Sequence, residues 1–228
     1  MTTFFPDNFF FFLLNNILKK GGYTSDPWQH LIHEGLVTGG QFNNSGTFGK
    51  DGLCSAYSLP HCHHHGPKRK GENYPSENTK GCPAADSPKC PNKCDSDAKA
   101  PYNSWKKSRY KISGKLLVYP NDDGGKTAMA SILEYGSVSA TMDVYSDFEN
   151  YVSGIYHHVK GENLGGHAIR VVGWGVEDNV KYWKIANSWN PFWGEKGYFR
   201  IVRGTDECGI EDNMLSSSNT GKWSGHGL

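Results

Sequence analysis

GGHAIRVVGWG, residues 165–175, leads through a short polar link into KYWKIANSWNPFWGEKGYFRI, residues 181–201. His167, Ile169 and Val171 alternate with their neighbours, the period of a strand with one buried face. Tyr182–Ala186 and Tyr198–Val202 read as further strands joined by glycine turns, and upstream Val138, Ala140, Met142 and Val144 alternate in the same way. The second half of the chain therefore predicts a mostly antiparallel sheet. The stretch also sets one histidine and one asparagine on what read as adjoining strands. Gly165 and Gly166 leave room for another chain or a ligand beside His167. The side-chain oxygen of Asn187 can hold the imidazole N–H, and Trp189 can cover that bond from water. A general base needs an orienting partner and a shielded place, and this segment offers both. An isolated strand histidine is equally readable as a satisfied structural residue, so the residues alone leave both readings open.

Working outward, DPWQHLIHEGL, residues 26–36, predicts a helix. Asp26 is the expected cap, Pro27 suits the first turn, and Gln29 reaches back as in a capping box. Trp28, Leu31 and Ile32 share its inner face, and Gly35 stops it. A second helix is expected over Thr127–Tyr135 with Met129, Ile132 and Leu133 inward. Between them, residues 39–104 are rich in Gly, Pro, Asn, Ser and Cys and poor in apolar period. Such a segment has little apolar area to offset its ordering entropy and needs staples.

The chain has 228 residues and a formal net charge of +1, so the totals give no case for nucleic acid or an acidic partner. Five of the six cysteines fall between Cys54 and Cys94, a density that means disulfides in an oxidising compartment or a metal site. The longest apolar run, Phe9–Leu14, is far short of the roughly 20 residues that cross a bilayer. The opening MTTFFPDNFFFFLLNNILKK holds six of the eleven phenylalanines, yet lacks the basic start and small-residue cleavage site of a signal peptide. It reads as a terminus foreign to the rest of the fold. Asn43-Asn44-Ser45 is a glycosylation sequon. No internal repeat and no feature arguing for an oligomer is present, so a monomer is expected.

GGHAIRVVGWG resembles the histidine motif of the papain family of cysteine peptidases, and ANSWNPFWGEKGYFRI resembles its asparagine motif. GTDECGIED resembles the family's ending. Within the family the chain is similar to cathepsin B-like members. YSLPHCHHH, residues 57–65, resembles their occluding-loop histidines; SPKCPNKC, residues 87–94, their cysteine pair; and VYSDFENYVSGIYHHVKGENLGGHA their approach to the catalytic histidine. The resemblance implies an α+β, papain-like two-lobe fold. Residues 21–110 would be a remnant of the helical lobe with the occluding loop, 111–213 a β-rich lobe, 214–228 a tail and 1–20 foreign. It implies a peptidase with endopeptidase and dipeptidyl carboxypeptidase action, lysosomal or secreted. Peptide or protein substrates and cystatin-like inhibitors are its implied partners, with no cofactor.

By the same resemblance His167 is the general base and acid, Asn187 its orienter and Trp189 the shield. Gly21, Gly22 and Gly166 would meet substrate backbone, and His64 and His65 would bind a substrate's terminal carboxylate. Cys54 would pair with Cys94 and Cys62 with Cys82, leaving Cys90 unpaired and Cys208 free in the core. There are departures. The family's nucleophile sits in a Cys-Trp motif, and no Cys here is followed by Trp. The chain is expected to lack that segment, to pack its helical lobe thinly and to be inactive alone. Phe192 stands where an acidic residue would latch the loop, and Asn213 stands where a glutamate would admit arginine. Two other readings stay beside this one: a pseudo-peptidase that binds peptide C-termini or inhibitors, and a gene-model fragment with no role. The run His63–His65 with nearby cysteines also suggests zinc, but adjacent histidines diverge and the cysteine spacing is no usual finger, so no metal is assigned.

Overall fold

The computed structural model describes residues 22–40, 53–58, 91–122, 124–189, 191–218 and 220–223. Gly21, Cys62, His63–His65, Cys82, Cys90, the sequon at 43–45 and the opening twenty residues lie outside the described residues. The chain divides into two compact units, with Leu117–Ser216 in one and most of the residues on either side in the other.

In the first unit, helix α1 spans Ser25–His33. The expected Asp26 cap is corrected: the N-cap lies two residues earlier, at Thr24, the helix starts at Ser25, and no side chain caps it. Gln29 does not reach back; it meets His33 one turn on, at 3.0 Å. With the start shifted, the capping-box geometry is lost and the i,i+4 pairing takes over. Pro27 and Leu31 form the buried stripe, with Trp28 and Ile32 half-buried. Gly35, at φ +79°, turns its N–H back to the His30 carbonyl at 2.9 Å and ends the helix. Lys111 and Arg109 donate to the carbonyls of His33 and Glu34, at 2.5 and 3.1 Å, placing cations at the negative end of the helix dipole. The short strand β1 (Leu36–Val37) and β12 (Thr220–Trp223) flank β4 (Arg109–Ser113) in a three-stranded sheet. Strands β2 (Gly39–Gly40) and β3 (Ser55–Ala56) pair separately. Beside β3, Cys54 is bonded to Cys94, with Cα atoms 4.5 Å apart. Among the described residues this unit fully buries few large apolar groups: Pro27, Leu31, Leu53, Ile112 and the bridged Cys54.

The second unit holds a seven-stranded sheet in the order β5-β11-β6-β8-β9-β10-β7. Its strands are β5 (Leu116–Tyr119), β6 (Val138–Tyr145), β7 (Ile155–Tyr156), β8 (Asn163–Glu177), β9 (Val180–Ala186), β10 (Tyr198–Val202) and β11 (Met214–Ser217). β6, β8, β9 and β10 pair antiparallel in turn, β11 pairs antiparallel with β6, and β7 joins β10 parallel. The alternation read from the sequence is the core: Val138, Ala140, Met142, Val144, Ile169, Val171, Trp183, Ile185, Phe199 and Ile201 are all buried. Apart from Ala140, each such side chain contributes on the order of 1.5–3 kcal/mol.

Helix α2 spans Lys126–Tyr135, started by the Asp122 carboxylate, which accepts from the Thr127 amide at 3.2 Å. Its expected inner face is corrected at one position. Ala128 and Ser131 are buried and Met129 and Ile132 pack beside the core, but Leu133 is 80% exposed. The inner stripe passes through Ser131 because its hydroxyl completes a buried polar cluster with Tyr119 and Ser216, which turns Leu133 to solvent.

The loop that delivers the chain into β8 is held by one carboxylate. Asp147 accepts from the Tyr156 hydroxyl at 2.8 Å, His158 Nδ1 at 3.2 Å, and the amides of Val159 and Lys160 at 3.0 and 3.3 Å. Burial raises its pKa, but these bonds outweigh burial and hold the carboxyl well below the usual range. A depressed carboxylate pKa adds stability that is complete above the unfolded value of about 3.9 and is lost as pH falls below it. Urea unfolding followed from pH 6 to pH 3 should therefore place Asp147→Asn about 1–3 kcal/mol below the parent at pH 6, with the gap closing below about pH 4. A gap that is constant over that range would contradict this role.

Candidate active site

β8 is fifteen residues long, and its two halves have different partners. β6 pairs along Asn163–Val171, whereas β9 joins only from Arg170 onward. His167 lies in the part that β9 does not reach, opposite Met142 of β6. Before it, Gly165 takes φ +118°, and a Cβ on Gly165 or Gly166 would meet nothing within 4 Å. The backbone leading to the histidine is thus open to an approaching chain.

Asn187 is one residue beyond the end of β9, a small departure from the expected place on the strand. Its amide donates to the Gly197 carbonyl at 3.0 Å, closing the 187–197 loop at its root. Its Oδ1 accepts two bonds, from the Ser188 amide at 2.8 Å and from His167 Nε2 at 2.9 Å. The Ser188 bond fixes which end of the carboxamide is oxygen, because an NH₂ group there would set donor against donor. An oxygen carries no proton, so Nε2 must be the donor. The neutral imidazole is therefore the Nε2–H tautomer, and Nδ1 is the nitrogen left to exchange a proton.

Trp189 stands over this pair, its ring centroid 5.5 Å from that of His167 at 32°. It is held by edge contacts to Phe148 at 5.3 Å and to Trp193 at 4.8 Å. Phe148 is fully buried, and the Trp193 indole donates to the Glu149 carbonyl at 3.0 Å. The loop 148–150 and the loop 187–197 thus lock together through aromatic rings. Shielded from water, the His–Asn bond gains strength.

The other expected site residues are placed as follows. Gly166 is exposed, opposite Asp143 of β6. Asn213 is exposed in the turn before β11, and Gly22 is exposed in the first unit. Gly21, His64 and His65, with the Cys62–Cys82 pairing, lie outside the described residues. The described cysteines are the bridged Cys54 and Cys94 and the free Cys208. Cys208 is half-buried, and burial, with the Glu207 carboxylate 3.5 Å away, pushes its thiol up to about 12. That is the opposite of what a thiolate nucleophile requires. The supports that sequence reading misses are the Ser188 amide, the Gly197 carbonyl and Phe148. The first two are backbone groups with no side-chain signature, and Phe148, though inside the quoted approach to the histidine, has nothing in its residue type that shows it packing on Trp189.

A family model described as papain family cysteine protease matches residues 19–218. A cathepsin B-like cysteine proteinase of Schistosoma japonicum is 43% identical over 201 residues, covering 86% of this chain and 52% of the relative. Cathepsin B-like cysteine proteinase 4 of Caenorhabditis elegans is 39% identical, covering 86% and 53%. The chain spans about half the length of the curated relatives it matches. Among solved structures, procathepsin B S9 of Trypanosoma congolense superposes with a TM-score of 0.63 at 27% identity, over 91% of this chain and 59% of that one. The helices, the mostly antiparallel sheet and that superposition make the fold α+β and papain-like. With its histidine and asparagine motifs joined by a hydrogen bond and a family match over most of its length, the chain belongs to the papain family of cysteine proteases.

Proposed function

We propose that this chain carries the acid–base half of a cysteine peptidase centre. His167 is the general base and acid, Asn187 orients it and Trp189 shields their bond. One observation supports this above the rest: Asn187 Oδ1 is held by Ser188 so that it accepts from Nε2, which puts the proton of the neutral ring on Nε2 and makes Nδ1 the basic nitrogen. A thiol's free pKa is about 8.5, and a neighbouring imidazolium lowers it to roughly 3–4, giving a thiolate that persists in mild acid. That thiolate adds to a peptide carbonyl carbon, His167 Nδ1–H protonates the leaving amine, and water then releases the acyl group. Peptides and proteins are the proposed substrates, cystatin-like proteins the proposed inhibitors, and a lysosome or the extracellular space the proposed setting. Gly21, Gly22 and Gly166 are proposed to meet substrate backbone, and His64 and His65 its terminal carboxylate, giving dipeptidyl carboxypeptidase action.

The nucleophile is the missing part of this reading, because the chain has no Cys-Trp motif and the free Cys208 is poised the wrong way. Purified, oxidised protein should show no turnover of a fluorogenic dipeptide that an epoxide thiol inhibitor can block. Inhibitor-sensitive turnover would overturn the proposal. Where the nucleophile segment is supplied, Asn213 brings no negative charge to the substrate's second residue before the cut. Phe there should be preferred to Arg, and Asn213→Glu should shift the Arg-to-Phe ratio of kcat/KM upward by about two- to fivefold, the scale of one modest ion pair. An Arg preference in the unsubstituted protein would contradict that assignment.

A further inference from the structure

The turn 193–197 ends the loop that carries Trp189, and its backbone is not relaxed. Gly197 donates its amide to the Trp193 carbonyl and Glu195 donates to the Tyr198 carbonyl, both at 2.8 Å. Lys196 takes φ +60°, a left-handed conformation in which a lysine Cβ crowds the backbone. Gly194, at φ +56°, has no room for a side chain: a Cβ there would stand 2.6 Å from the Tyr198 carbonyl oxygen and 3.1 Å from the Tyr151 ring. A residue persists in such a conformation only where its surroundings over-determine it.

The Glu195 carboxylate supplies that constraint. Arg200 grips it with a fork, Nη2 donating to Oε1 at 2.7 Å and Nε to Oε2 at 3.0 Å. Gly154 donates its amide to the same carboxylate at 2.9 Å. These bonds, the Arg200 fork above all, hold the carboxyl below the usual carboxylate range. Arg200 is itself held from the other side. Its Nη1 donates to Glu177 at 2.8 Å, and its guanidinium lies 5.3 Å from the centre of the Tyr182 ring. The two carboxylates differ in setting: the side chain of Glu177 is 53% exposed and that of Glu195 is 25% exposed. The exposed pair is worth little, whereas the fork on Glu195 is partly shielded and shares its carboxylate with a backbone amide.

Gly154 links this carboxylate to the aromatic stack. Its carbonyl accepts from the Tyr151 hydroxyl at 2.6 Å, the Tyr151 ring lies 5.4 Å from that of Trp193, and Trp193 meets Trp189 edge-on at 4.8 Å. We propose that Glu195 is a positioning residue: through Gly154, Tyr151 and Trp193 it keeps Trp189 seated over the His167–Asn187 bond. The inference rests on the reading of that bond as the acid–base pair. A salt bridge that served stability alone would act through Arg200 without regard to which carboxylate was lost, and would leave the imidazole untouched.

The test is the rate at which the His167 Nε2 proton exchanges with water in the whole chain, followed by NMR of histidine-labelled protein, with urea unfolding measured on each variant. Glu195→Gln keeps an acceptor for the Gly154 amide but loses the charge. It should speed the exchange about tenfold, the step expected when one charge-assisted hydrogen bond no longer opposes local opening. Glu177→Gln unpairs the other side of the same guanidinium and should leave the rate within about twofold of the parent. Arg200→Lys keeps the charge but not the fork, should speed the exchange as Glu195→Gln does, and carries the test if that variant does not fold. Equal rates in the parent and Glu195→Gln, equal acceleration by Glu177→Gln, or an acceleration no larger than the change in the unfolding constant would overturn the inference and leave the acid–base reading standing. A parent ring with no slowly exchanging Nε2 proton would overturn both.

Discussion

The carboxamide oxygen of Asn187 is the point on which the site turns. It has two lone pairs, and both are engaged, one by the Ser188 amide and one by His167 Nε2. The first bond is local and fixes the orientation of the amide. The second crosses from the end of β9 to the middle of β8 and fixes the proton on the imidazole. Neither bond alone would set the tautomer, because a freely rotating amide offers donor and acceptor alike. In the proposed chemistry Nδ1 is then the basic nitrogen of the neutral ring.

The sheet exists in this arrangement to keep that bond. Antiparallel pairing of β6 with β8 fixes where His167 points, and the β8–β9 ladder stops short of it, so the ring is not covered by a neighbouring strand. The Asn187 amide on the Gly197 carbonyl closes the loop that carries Trp189. Phe148, from the loop after β6, supports Trp189 from beneath. Deeper in the same unit, the Glu211 carboxylate takes the indole N–H of buried Trp183 at 2.9 Å and the amides of Gly204 and Asp206 at 2.7 and 2.8 Å. A buried carboxylate with three donors ties the turn before β11 to strand β9.

Much of this was legible in the residues. Period-two alternation marked β6, β8, β9 and β10, because each has one face in the core and one outside it. The juxtaposition of His167, Asn187 and Trp189 was legible because the proposed chemistry needs those side chains together. What escaped notice was tertiary. Leu133 read as an inner residue by helical period, but a hydroxyl cluster at Ser131 set the rotation of α2. Asp26 read as a cap by residue type, but the helix began before it. The Ser188 amide has no letter in the sequence that distinguishes it from any other backbone N–H.

The central claim is the protonation pattern of one imidazole, and nitrogen NMR of histidine-labelled protein reads it directly. Above the titration of His167, the ring should show a pyrrole-type Nε2 bearing a proton in slow exchange with water and a pyridine-type Nδ1. Asn187→Ala should abolish that slow exchange and mix the tautomers. A His167 ring protonated on Nδ1 in the unsubstituted protein, or one whose spectrum is indifferent to Asn187, would contradict the account.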